Sequence, residues 1–176
     1  MDVVLIGKKD GITHILFIES KFLEYNNNTK NNLSKSYKDR NRWYDTDVNW
    51  NQIIDSIPQT KGYQEGIKQT ITHLFGIHSL LSGEPCKALK DLNISECKVK
   101  FINLIFSPSD NFIESKAYEK YKNLSREFIN SIRDVTGLKV IPEWVSYTEL
   151  WKEIKDQYPQ HLREYLQNKY MKFAKE

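Results

Sequence analysis

Asp10 and Gly11 stand between two apolar runs, DVVLIG and ITHILFIESKF, and no other feature of the 176 residues limits the fold as strongly. Asp-Gly accepts the backbone angles of a tight turn, so the two runs are expected to fold back on each other as antiparallel strands. In the second arm Ile15, Phe17, Glu19, Lys21 and Leu23 share one face, while Leu16, Ile18, Ser20 and Phe22 share the other. Both faces are apolar before residue 19, which predicts a central strand covered on both sides. The run then ends with a carboxylate and an ammonium on one face, which burial penalises unless they are paired or bound to a metal. Reflection about a turn at residues 8 to 11 puts Asp2 opposite residues 17 to 19.

The stretch from 26 to 52, NNNTKNNLSKSYKDRNRWYDTDVNWNQ, loses all periodicity and reads as a polar insertion. Lys35, Lys38, Arg40 and Arg42 lie there among Tyr37, Trp43, Tyr44 and Trp50, a mixture that suits a nucleic-acid-facing loop and equally a solvated one. In the next segment Ile67, Ile71, Leu74, His78 and Leu81 step by four and three, predicting an amphipathic helix stopped by Gly83 and Pro85. KVKFINLIF, at 98 to 106, reads as a strand, and a second long helix follows, ending at Gly137. LKVIPEW reads as a short edge strand ended by Pro142; Ser146 and Glu149 have capping-box spacing, and a last helix spans Gln160 to Phe173. The expected architecture is a mixed α/β (α+β) layer fold in one domain, residues 1–176. Its core would occupy 1–107, interrupted by the insertion, with a helical C-terminal extension over 111–176.

Composition bounds the function only loosely. A net charge of +3 permits a nucleic-acid partner without requiring one. Cys86 and Cys97 form neither a disulfide framework nor a zinc-ligand pair, and read as reduced thiols of a cytoplasmic protein. No apolar run has the length of a membrane span, and no membrane partner is expected.

Asp2, Glu19 and Lys21 converging at one end of a sheet suggest a divalent-cation site. Mg²⁺ is held by one or two carboxylates and takes other ligands from water and phosphate oxygens. The competing reading is a plain salt bridge between Glu19 and Lys21 in an unrelated α/β protein. Asp2, then ESK at 19 to 21 on the second arm of a hairpin, then the helix YQEGIKQTITHLFGI and a strand, resemble the PD-(D/E)xK nuclease superfamily. The likeness is narrower to its restriction-endonuclease-like members and covers about residues 1 to 107. It implies a central mixed sheet flanked by helices, with Asp2, Glu19 and the Ser20 carbonyl as ligands of Mg²⁺ or Mn²⁺. It also implies Lys21 as the catalytic lysine and Gln69 as the polar helix residue facing phosphate or water. Lys68 and His73 are further nucleic-acid contacts on that helix, although His73 and His78 also fit plain helix packing.

Met1 stands where the family has proline, and the family's first helix and strand have no counterpart here. Either the sequence is the C-terminal part of a longer protein, or a partner chain or the C-terminal helices replace those elements. The missing strand would leave an open sheet edge, which favours a homodimer. The expected function is Mg²⁺-dependent DNA hydrolysis connected with restriction or defence. The alternative is a catalytically inactive DNA-binding or protein-interaction module on the same fold.

Overall fold

The Asp-Gly turn forms where the sequence places it. In the computed structural model, which describes residues 2–21, 47–56, 64–82, 89–106 and 115–169, it joins β1 (Val3–Lys9) to β2 (Ile12–Lys21). Asp10 has φ 52° and Gly11 φ 77°, the pair of positive angles whose twist matches antiparallel strands. The register runs from Lys9↔Ile12 to Val3↔Ile18, and Asp2 beyond it donates its N–H to the Ile18 carbonyl at 3.1 Å, beside Glu19.

On its other side β2 pairs in parallel with β3 (Lys98–Ile105), and β3 pairs in parallel with β4 (Pro142–Ser146). Among the described residues the sheet has four strands in the order β1-β2-β3-β4, with β2 interior as expected. Parallel strands need crossovers, and these contain the helices. Helices α1 (Trp50–Asp55) and α2 (Gln64–Leu81) lie between β2 and β3; α3 (Ser115–Ile132) lies between β3 and β4. Helices α4 (Tyr147–Ile154) and α5 (Gln160–Lys169) follow. The fold is therefore mixed α/β, a mixed sheet flanked by helices.

Ile15 and Phe17 of β2 and Phe101 of β3 form one core with Ile67, Ile71 and Leu74 of α2 and Phe128 and Ile132 of α3. The cover expected on both sides of β2 is complete on one side only, because Leu16 and Ile18 on the opposite face are half-buried. Val48 and Trp50, assigned to the polar insertion, belong to the core, with the Trp50 ring centre 4.1 Å from that of Phe75. Their polar neighbours conceal this in the sequence, and Asn49 among them caps α1 by accepting from the Gln52 N–H. The rest of the insertion, with Lys35, Lys38, Arg40 and Arg42, lies outside the described residues, as does Cys86.

Pro142 begins β4 instead of ending a strand. Proline lacks the N–H that a ladder uses, and the first position of an edge strand tolerates that loss. Beyond it Ser146 and Glu149 make both hydrogen bonds of the capping box. The core also reaches past residue 107, since β4 joins the sheet and α3 supplies buried apolar side chains. The last helix ends at Lys169 among the described residues.

Two glycines of α2 should respond oppositely to alanine. A Cβ on Gly66 would lie 2.7 and 2.9 Å from ring carbons of Tyr121, whereas one on Gly76 would meet nothing within 4 Å. In urea unfolding Gly66→Ala should cost about 1–3 kcal/mol by overpacking, and Gly76→Ala should stabilise by about 0.5–1 kcal/mol through helix propensity. Equal effects would refute the close crossing of α2 and α3. His78, 2% exposed and edge-on to Trp50, has its imidazole pushed down to about 4, first by burial and then by the charge of Lys139. The unfolded chain takes up that proton from about pH 6.5, so stability should fall between pH 6.5 and 4. His78→Leu should flatten this fall, and an unaltered pH profile in urea titrations would count against it.

Candidate functional site

Three parallel strands ending together create the place where a polar site can form. Lys21, Ile105 and Ser146 are in register at the carboxyl ends of β2, β3 and β4. Two residues earlier Glu19, Asn103 and Trp144 form a row across the same strands, with Asp2 just before β1 bonded by its N–H to the Ile18 carbonyl next to that row. In open α/β sheets, ligands bind outside the carboxyl ends of the strands.

Glu19 is 4% exposed and Lys21 7%, so both charges have left water. Lys21 Nζ lies 2.5 Å from Glu19 Oε1, and His73 Nε2 on α2 lies 2.9 Å from Glu19 Oε2. Burial by itself raises the Glu19 pKa. The nearby His73 nitrogen and the hydrogen bond and charge of Lys21 outweigh it and hold the carboxyl well below the usual carboxylate range. The pair is therefore a compensated buried charge, held from two elements.

Asp2 is exposed, and its Oδ2 accepts the Ser20 N–H at 2.7 Å. That N–H points to the β1 side of β2, where β1 would next supply an acceptor; the carboxylate takes its place. On the opposite face of β2, Ser20 Oγ shares a 2.5 Å hydrogen bond with Tyr147 OH at the start of α4. The site residues read from the sequence thus divide. Glu19, Lys21 and His73 are brought into one cluster, while Asp2 and Ser20 are linked to each other beside it. Gln69 is half-buried one turn before His73, and Lys68, also half-buried, precedes it.

Sequence reasoning passed over the neighbours that complete this layer. Asn103 is 5% exposed, and its Nδ2 donates to Thr70 Oγ1 at 3.3 Å, while that hydroxyl donates to the Gly66 carbonyl. The lone amide within KFINLIF was the available signal, of the same kind as Glu19 within its own apolar run. Trp144 stacks at a tilt on Tyr118, 5.9 Å between ring centres, with the Arg126 guanidinium 5.5 Å above its ring.

Trp144 also lines a groove of about 760 Å³ along β4 and α3. Lys100, Arg126, Arg133 and Lys139 face this groove against one carboxylate, Glu143, which pairs with Lys100 at 3.0 Å. Its positive excess equals the net charge of the entire chain. Basic character concentrated on one surface suits an anionic polymer. Among the described residues no helix is long and apolar enough to cross a membrane, and no group of three or more acidic, histidine or cysteine side chains is disposed to hold a metal ion. No family model, curated protein or solved structure matches the chain.

Glu19→Gln would leave the Lys21 ammonium buried without its counter-charge and should cost about 3–5 kcal/mol at pH 7. Because the folded carboxyl titrates below its ordinary value of 4.5, its contribution is complete above that pH and is lost as pH falls further. The stability gap between parent and variant should narrow below pH 4.5 in urea titrations. A constant gap from pH 7 to 3 would refute the charge pairing.

Proposed function

We propose that the chain is a divalent-metal-dependent deoxyribonuclease, a phosphodiester hydrolase of restriction-endonuclease-like type. The observation that carries this reading is the buried, ionised Glu19 with Lys21 beside it at the end of an interior strand, and Asp2 with its carboxylate on the Ser20 N–H between them. The resemblance of Asp2 and Glu19-Ser20-Lys21 to the PD-(D/E)xK pattern supports the same assignment. The donor set fits a hard cation, being two carboxylates and a backbone carbonyl with no sulfur. Asp2, Glu19 and the Ser20 carbonyl would hold Mg²⁺ or Mn²⁺. Glu19 could turn an oxygen to it only by loosening Lys21 or His73, which now occupy both oxygens.

When bound, the cation would offset phosphate charge and lower the pKa of a coordinated water. Lys21, released in part from Glu19, would orient that water or meet the charge developing on the phosphate. Gln69 would present its amide from the turn before His73. The groove cations Arg126, Arg133 and Lys139 would draw the DNA backbone past the strand ends. A second reading, a silent DNA-binding or protein-interaction module, is favoured by one observation: Lys21 and His73 already engage both oxygens of Glu19.

The test is cleavage of linear and circular DNA with Mg²⁺, Mn²⁺ or EDTA. The parent chain should cut only with a divalent ion, and Lys21→Ala and Asp2→Ala should each lose at least about 100-fold. Asp2 is exposed, so its variant keeps the fold, which circular dichroism would verify. Cleavage surviving both changes removes these residues from the chemistry. DNA binding that is lost in an Arg126→Ala/Arg133→Ala double variant, with no cleavage by the parent, selects the silent module.

A further inference from the structure

Strand β1 is exposed along its whole length, although VVLI is as apolar as any core segment. Val3, Val4, Leu5 and Ile6 are 43%, 45%, 51% and 48% exposed, and they alternate between the two faces of the sheet. Among the described residues no strand pairs with the outer edge of β1. An apolar edge of this kind recruits another strand or aggregates unless something blocks it. Neither a bulge nor a proline interrupts β1, and its charges stand only toward its ends, at Asp2, Lys8 and Lys9.

We infer that β1 is the edge through which two copies of this chain associate, pairing antiparallel with the partner's β1 about a two-fold axis through Leu5. The turn fixes which groups are available. A two-residue loop is closed by a pair that exchanges both hydrogen bonds, here Lys9 with Ile12, so Lys9, Gly7, Leu5 and Val3 bond inward to β2. Val4, Ile6 and Lys8 therefore turn their N–H and C=O groups outward. A two-fold axis perpendicular to the sheet keeps each side chain on its own face, so only residues of equal parity can lie opposite each other.

Three central registers satisfy that condition, and their charges separate them. Centring on Ile6 sets Asp2 against the partner's Asp10 and Val4 against the partner's Lys8. Centring on Val4 sets Asp2 against the partner's Ile6. Centring on Leu5 pairs Val4 with the partner's Ile6, Val3 with the partner's Gly7, and Asp2 with the partner's Lys8. Apolar residues then meet apolar ones or the open space at Gly7, where an added Cβ would touch nothing within 4 Å, and the opposite charges meet at both ends. This self-complementarity singles out a second copy as the occupant. The result is a continuous eight-stranded sheet, two-fold symmetric, with α2 and α3 of both protomers on one side. The strand-pair contact is small by the standard of stable interfaces, so association should depend on concentration.

Sedimentation or light scattering on the full chain reads the outcome directly against the 20.9 kDa protomer. A reversible dimer is expected at tens of micromolar, and Leu5→Lys should weaken it at least tenfold with an unchanged circular dichroism spectrum. Lys8→Asp and Asp2→Lys should each weaken it, and the double exchange should restore it. In a Cys86→Ser/Cys97→Ser background, Leu5→Cys should cross-link under mild oxidation, because Leu5 faces its own copy at a non-hydrogen-bonded pair. Ile12→Cys should not. A monomer at 100 micromolar, open-ended oligomers, or a dimer indifferent to Leu5→Lys would each overturn the inference. The readout is mass, so its failure is separate from any failure of the nuclease reading.

Discussion

Parallel pairing of β2 with β3, from His14↔Lys98 to Lys21↔Ile105, is the interaction on which the other parts depend. Parallel neighbours cannot be joined by a tight turn, so the chain must leave the end of β2 and return to the start of β3. That return carries α1 and α2 across one face and buries Ile15, Phe17 and Phe101 beneath them. The same pairing aligns the strand ends, so that Glu19 and Asn103 stand side by side under α2 and meet His73 and Thr70. Core and candidate site are thus two stretches of one alternating strand, apolar first and charged last.

What could be read beforehand follows the range of the interaction concerned. The hairpin is local: two residues make the turn, and period two sorts the side chains, so the face shared by Ile15, Phe17, Glu19 and Lys21 was legible. The α2 stripe was legible for the same reason, and Ile67, Ile71, Leu74 and His78 are all buried. Spacing alone could not decide between the packing and polar roles of the two histidines. His78 packs against Trp50 while His73 reaches Glu19, and the difference arises from how α2 lies across the sheet. Val48 and Trp50 were lost among polar neighbours, and Pro142 was misread because proline can stand at either boundary of a strand. Asn103 was legible in principle, as one amide inside an apolar run.

The site's electrostatics set limits on any chemistry there. A carboxylate buried as deeply as Glu19 stays ionised only while donors face it, and two donors from different elements do so. A ligand that competes for Glu19 must therefore replace the stabilisation it displaces, which a divalent cation can do and a neutral molecule cannot. Positive charge lies near by in the groove along α3 and β4, which Trp144 joins to the row containing Glu19.

Asp2 connects the sheet edge to that chemistry. It stands at the head of β1, and its carboxylate holds the Ser20 N–H next to Glu19 and Lys21. Although exposed, it is tied to β2 twice, its own N–H donating to the Ile18 carbonyl at 3.1 Å and its carboxylate accepting from Ser20. In the proposed dimer the partner's strand would extend alongside Asp2 and set the partner's Lys8 opposite it. Pairing at the edge would then set a cation beside one residue of the candidate metal site, although the partner reaches neither Glu19 nor Lys21. Any effect of dimerisation on the site would pass through the charge beside that one carboxylate, and its strength would follow the occupancy of the edge.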